Sequence, residues 1–141
     1  MIKRKILLID DDPDDRVFFT DALHEINNEI KCNVAENGEE ALKLLSSPPL
    51  PDLIFLDLNM PVMNGLSCLF ALKKDEKLKS IPVIIYTTTS DPETVNETKS
   101  RGAVAFLKKP NDYLQFIKKL KTILEMNSYG DLKTAYTEYI L

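Results

Sequence analysis

The run Leu53-Ile-Phe-Leu56 is apolar at every position. A strand with one wet face alternates apolar and polar residues, so an unbroken run this short describes a strand covered on both faces. Ile6-Leu-Leu-Ile9, Pro82 to Tyr86 and Val104 to Leu107 share that character. A weaker run, Lys31 to Ala35, suits a sheet edge. Helical segments separate all five runs. Strand and helix alternating five times predict an α/β domain: a doubly wound, five-stranded parallel sheet with right-handed crossovers.

The intervening segments carry helix punctuation. Pro13 opens the first helix with Asp14 and Asp15 in its first turn, near the positive end of the helix dipole. That helix is expected to bury Phe18 or Phe19, Ala22, Leu23 and Ile26 and to end near Asn27-Asn28, leaving His24 at the surface. Asn37-Gly38-Glu39-Glu40 caps a second helix carrying Ala41, Leu42, Leu44 and Leu45. The third runs from Gly65 to Lys74, after Pro61 and Asn64-Gly65 have turned the chain. Asp91-Pro92-Glu93 starts a fourth, in which Val95 is almost the only apolar residue up to Arg101; so small a buried face predicts loose anchoring. The fifth places Tyr113, Phe116, Ile117, Leu120 and Leu124 on one face. After Met126, Leu132, Ala135, Tyr136, Tyr139 and Ile140 fall at helical spacing. We therefore expect one domain over 1–126, and an extension over 127–141 forming a short helix that docks on its own domain or on a second copy.

Composition narrows the class. The 141 residues are 44% hydrophobic and 28% charged, ordinary for a globular domain. No apolar run approaches the roughly 20 residues of a membrane span, and the basic start Met1-Ile-Lys-Arg-Lys5 leads to Asp10 rather than into a signal-peptide core, so no membrane association and a cytoplasmic location are expected. Cys32 and Cys68 form no CxxC pair and read as two reduced, buried thiols. A net charge of −4 argues against nonspecific nucleic-acid binding, and no direct DNA binding is expected.

The strand ends carry the chemistry. Asp10 and Asp11 follow the first strand, Asp57 the third, Thr87 the fourth and Lys109 the fifth. In a parallel sheet those ends share one rim, where open α/β sheets bind ligands. Asp57 there is a nucleophile, a metal ligand, or both. Carboxylates so gathered repel unless a cation joins them, and an all-oxygen, acid-rich set suits Mg²⁺ rather than zinc. A divalent cation beside a carboxylate and a lysine is machinery for a phosphoryl group: Asp57 would attack phosphorus, metal and Lys109 would neutralise charge, and Thr87 would hydrogen-bond a phosphoryl oxygen. Asp12 reads as a solvent-facing part of the turn.

The pieces Leu7-Leu-Ile-Asp-Asp11, Leu56-Asp-Leu-Asn-Met-Pro61, Pro82-Val-Ile-Ile-Tyr-Thr87, Gly102-Ala103 and Phe106-Leu-Lys-Lys-Pro110, in this order, resemble a response-regulator receiver domain over about residues 3–125. The resemblance implies sheet order 2-1-3-4-5, shared by flavodoxin and by CheY, itself a receiver domain. It implies that Asp57 is the phosphoacceptor, Asp11 a direct metal ligand, Asp10 its acidic neighbour, and Asn59 a metal ligand through its backbone carbonyl. Thr87 and Phe106 match a switch pair in which the hydroxyl moves toward the phosphoryl group and the ring turns inward. Lys109 matches the phosphate-pairing lysine, and the Lys109–Pro110 bond is typically cis in the family. Thr88 stands where a small residue is usual, and Phe106 where many members have Tyr.

The implied function is a stand-alone response regulator that takes a phosphoryl group from a histidine kinase or phosphotransfer protein in a Mg²⁺-dependent reaction. Apart from that self-catalysed transfer and its own dephosphorylation it would be no enzyme. The output would be a switched surface around the fourth helix, fifth strand and fifth helix, read by a downstream protein or a second copy. A phosphohydrolase with an aspartyl-phosphate intermediate would use a second Asp two residues after the first; Asn59 stands there. A flavin- or nucleotide-binding domain would carry a Gly-rich phosphate loop after the first strand, and none is present. A constitutive binding module that leaves the acceptor unused is the remaining alternative.

Overall fold

The strands are Lys5–Ile9 (β1), Lys31–Ala35 (β2), Leu53–Leu56 (β3), Val83–Thr87 (β4) and Ala105–Lys108 (β5). They form one parallel sheet in the order β2-β1-β3-β4-β5. The helices are Pro13–Ile26 (α1), Gly38–Leu44 (α2), Gly65–Lys74 (α3), Pro92–Ser100 (α4) and Tyr113–Leu124 (α5). This computed structural model describes residues 5–89 and 91–125; the expected helical stripe from Leu132 to Ile140, and with it the 127–141 extension, lies outside the described residues. The doubly wound order expected from the sequence is the order found.

Every residue of β3 and β4 is buried, as helices on both faces require. The edge strand β2 buries Ala35 fully and exposes Lys31, Asn33 and Val34. On one face α1 packs against α5, and on the other α2 packs against α3. Four aromatic rings fill the first of these layers. Phe19 stands 4.8 Å from Phe55 and 5.4 Å from Tyr86, and Tyr86 stacks on Phe116 at 5.6 Å between centroids. Such pairs add to the burial of some of the largest side chains of the core. Of the expected α1 contacts, Phe19, Ala22 and Leu23 are buried, whereas Phe18 and Ile26 only pack against the core margin.

Several boundaries differ from the sequence reading by one residue. β4 begins at Val83 rather than Pro82, which has no N–H to give to a ladder, and it includes Thr87. β5 likewise runs one residue later than expected. The α4 helix buries Thr98 beside Val95, its hydroxyl donating to the Val95 carbonyl at 2.9 Å, so a threonine supplies the second inward contact. Lys109–Pro110 is not cis; among the described residues the cis bond is Pro48–Pro49. A trans X–Pro bond is the lower-energy form, and a resemblance to other chains cannot override the local environment that selects it. Cys32 is half-buried and Cys68 buried, both as free thiols, and burial pushes them up to about 12 and about 11, so neither is a ready nucleophile.

The link between β3 and α3 is tight. Met63 N–H donates to the Pro61 carbonyl at 2.7 Å across Val62, whose φ is +67°, making a γ-turn around a β-branched residue that is 77% exposed. Gly65 N–H then donates to the Leu58 carbonyl at 2.9 Å, and a Cβ on Gly65 would lie 2.3 Å from the Asp57 carbonyl oxygen and 2.5 Å from Leu58 Cα. Only glycine lets α3 start this close to the acceptor strand. Substitutions on the two sides of this link are expected to have opposite signs in denaturant unfolding. Gly65→Ala should destabilise by about 1–3 kcal/mol through forced overpacking, whereas Val62→Asn should stabilise by up to about 1 kcal/mol by relieving the left-handed backbone.

Candidate functional site

The sheet ladder runs past the strand ends and ties the site together. Asp10 N–H donates to the Ala35 carbonyl at 2.9 Å, Asp57 N–H to the Ile9 carbonyl at 2.9 Å, and Lys109 N–H to the Thr87 carbonyl at 2.8 Å. These three backbones are therefore fixed by β-pairing rather than by loops. Asp12 caps α1, accepting from the N–H groups of Asp14 and Asp15, and remains exposed. Its own N–H donates to Asp10 Oδ1 at 3.0 Å, which orients that carboxylate inward.

Asp57 is almost fully buried, with both carboxylate oxygens engaged. Oδ1 accepts from the Thr87 hydroxyl at 2.9 Å and from Asn59 N–H at 3.3 Å, and Oδ2 accepts from Lys109 Nζ at 3.1 Å. Lys109 also meets Asp10 Oδ2 at 2.9 Å and Asp15 Oδ2 at 2.8 Å, and its ammonium lies 5.6 Å from the Tyr86 ring centroid. Three carboxylates thus share one ammonium whose side chain is only 9% exposed. The Asp10 contact is an ion pair without hydrogen-bond alignment, and its fully buried Oδ2 accepts no hydrogen bond.

The charge balance sets the protonation. Burial, reinforced by the charge of Asp57, raises the Asp10 pKa above the usual carboxylate value against the pull of Lys109. Burial lowers the Lys109 pKa, but its contacts with Asp15 and Asp10 and the charge of Asp57 outweigh it, so the net shift is upward. Asp10 holds its proton more tightly mainly because it is buried, and Lys109 because carboxylates surround it.

The surplus of negative charge at the rim fits a cation. Carboxylate oxygens of Asp10, Asp11 and Asp57 lie within 4.8 Å of one another, Asp11 exposed and the other two buried. A buried carboxylate oxygen that accepts no hydrogen bond, in an all-oxygen set, matches a hard divalent ion such as Mg²⁺, and the absence of imidazole or thiolate from the set disfavours zinc.

The sequence-predicted residues Asp10, Asp11, Asp57, Thr87 and Lys109 meet at this rim. Asn59 is exposed and reaches the acceptor through its N–H. Phe106 is fully buried, so the structure holds the ring inward, with the Thr87 hydroxyl already on Asp57. Thr88 is exposed beside them. Sequence reasoning missed Asp15 and Arg16. It treated Asp15 only as a first-turn acid, and no local pattern ties it to a lysine 94 residues later. Arg16 Nη1 donates to the Asp10 carbonyl at 2.9 Å and pairs with Glu36 at 3.6 Å, bracing the β1–α1 loop.

The comparisons with known proteins agree with this geometry. The family model for the response regulator receiver domain matches residues 6–127. This chain belongs to that family, whose members are signalling modules of two-component systems. It is 36% identical over 106 residues to the probable C4-dicarboxylate response regulator DctR of Bacillus subtilis, covering 75% of this chain and 46% of DctR. The chain therefore spans less than half the length of that relative. Among solved structures, the Mn²⁺-bound form of response regulator Rcp1 matches with a TM-score of 0.78 at 26% identity, over 89% of this chain and 97% of that one. The phosphorylated cyanobacterial phytochrome response regulator RcpA matches with a TM-score of 0.78 at 27% identity, over 86% and 91%. Among the described residues no helix is long and apolar enough to cross a membrane.

The burial of Asp10 has a thermodynamic consequence. Because its folded pKa exceeds its ordinary value of 3.8, the folded state binds more protons between those two values. The cost of Asp10 is therefore complete above its folded pKa and vanishes below 3.8. In metal-free protein Asp10→Asn should raise stability at pH 7 by about 1–3 kcal/mol, the scale of a burial penalty that the ion pair with Lys109 leaves incompletely offset. Thermal unfolding of both proteins across pH should show the gap closing as pH falls through the carboxylate range.

Proposed function

We propose that this receiver domain is a phosphorylation switch in which Asp57 accepts a phosphoryl group from a histidine kinase or a phosphotransfer protein. The observation that carries the reading is the Asp57 carboxylate held between the Thr87 hydroxyl and the Lys109 ammonium, next to a buried oxygen of Asp10 that accepts no hydrogen bond. An Asp57 oxygen attacks phosphorus, an O–P bond forms, and the N–P bond to the donor histidine breaks, the imidazole leaving with the electron pair. Lys109 pairs with the transferred oxygens, and the Thr87 hydroxyl, now donating to the carboxylate at 2.9 Å, donates to one of them. Asp10, Asp11 and Asp57, with the Asn59 carbonyl as the resemblance implies, would hold Mg²⁺. When bound, that ion supplies positive charge to the phosphoryl oxygens.

The product acyl phosphate is lost by attack of water on phosphorus, which restores the Asp57 carboxylate. Thr87 and Phe106 act as the switch pair, and the hydroxyl's commitment to the phosphoryl group holds the ring inward. Output passes through the face of α4, β5 and α5 to a protein target or a second copy. The small buried face of α4, Val95 and Thr98, supports its being the element that moves. We further propose that the domain acts without an attached output domain. The size of the native protein in extracts of its own cells, set against 16.0 kDa, tests that part separately.

Incubation with acetyl phosphate should label the purified chain, with a mass gain of one phosphoryl group, in the presence of Mg²⁺ and not in EDTA. Asp57→Asn should abolish labelling, and Lys109→Ala should slow it by roughly a hundredfold or more, the scale of losing one charged group that stabilises the transferred phosphoryl. Wild-type protein that stays unlabelled both by acetyl phosphate and by a phosphorylated histidine donor would end the reading.

A further inference from the structure

The third carboxylate on Lys109 is not explained by acceptor chemistry. Asp15 comes from the first turn of α1, 94 residues away in sequence, yet its Oδ2 makes the shortest of the three contacts to the ammonium, 2.8 Å against 2.9 Å for Asp10 and 3.1 Å for Asp57. An ammonium has three N–H donors, and here three carboxylates surround it. When Asp57 carries a phosphoryl group, Lys109 must turn toward the new oxygens, and one of its present contacts has to give way. Asp10 cannot follow or be released cheaply, since it is 0% exposed and its carboxylate is fixed by the Asp12 N–H. The Asp15 side chain is 38% exposed, so water can solvate it once the lysine leaves. The contact nearest to solvent is therefore the one to break.

We propose that Asp15 is a positioning residue: it draws Lys109 toward α1 and so sets the rate at which the lysine becomes available to a phosphoryl group on Asp57. This inference rests on the phosphoacceptor reading above. A plainer account makes Asp15 a first-turn acid that favours the helix dipole, as Asp14 and the cap Asp12 also do. The two accounts separate cleanly, because Asp14 sits in the same turn with the same charge, is exposed, and makes no contact with Lys109 among the described residues.

The test measures the rate of Mg²⁺-dependent labelling of the full chain by acetyl phosphate for wild type, Asp15→Asn, Asp15→Glu and Asp14→Asn, with the thermal midpoint of each. Asp15→Asn should label faster by roughly threefold to fivefold, the factor that a part-exposed ion pair commonly carries. Asp14→Asn should label at the wild-type rate, and Asp15→Glu, which keeps the charge and can still reach, should return most of the way to wild type. In a Lys109→Arg background Asp15→Asn should produce a different ratio from the one it produces in wild type, since the two residues act through one contact. Equal acceleration by Asp14→Asn and Asp15→Asn would reduce the effect to charge at a distance and overturn the inference. Unchanged rates across all variants, with wild type labelling normally, would overturn it while leaving the phosphoacceptor reading intact. Wild type that takes no label would remove both.

Discussion

A single ammonium among three carboxylates organises this molecule. Lys109 is buried where no lone charge could stay, and Asp10 and Asp57 are buried with it while Asp15 reaches it from the margin. Attraction between them holds the ends of β1, β3 and β5 and the first turn of α1 to one another by charge as well as by packing. The balance is nevertheless unequal, with more negative charge than Lys109 can neutralise, and the fully buried Oδ2 of Asp10 has the ion pair with Lys109 but no hydrogen bond. An all-oxygen rim with that surplus suits a hard cation.

The backbone prepares that rim before any side chain acts. Ile9, Leu56, Ile85 and Phe106 are aligned across four neighbouring strands. The residues just beyond this row include Asp10 and Asp57, and the main chain of Lys109 is bonded to that of Thr87. Precision at the site is thus inherited from strand register, which the hydrophobic core fixes. The close approach of Gly65 to Asp57 adds a second constraint from the far side of the acceptor.

How much of this could be read from residues alone follows from the range of each interaction. The unbroken apolar runs and the cap residues act locally, so strands and helices were legible, and the strand-end positions of Asp10, Asp57, Thr87 and Lys109 came with them; the sheet order came from the family resemblance. One-residue shifts at Val83 and Ala105 were not, because ladder bonds to a neighbouring strand decide where pairing starts. The second inward contact of α4 was missed because Thr98 buries its hydroxyl by returning it to its own helix. Asp15 lay hidden for a different reason: its partner is remote in sequence, and a helix first turn already offered a sufficient account of an acid there. The cis bond at Pro48–Pro49 rather than Lys109–Pro110 is equally a matter of tertiary surroundings.

Tyr86 belongs to two environments at once. One ring contact is with Lys109, 5.6 Å away, and others are with Phe19, Phe55 and Phe116 in the aromatic layer under α1 and α5. A ring so placed feels the lysine's charge and also packs on rings carried by α1 and α5. A rearrangement of the ammonium would therefore be felt in the interior as well as at the surface, at rings that close packing leaves few ways to adjust.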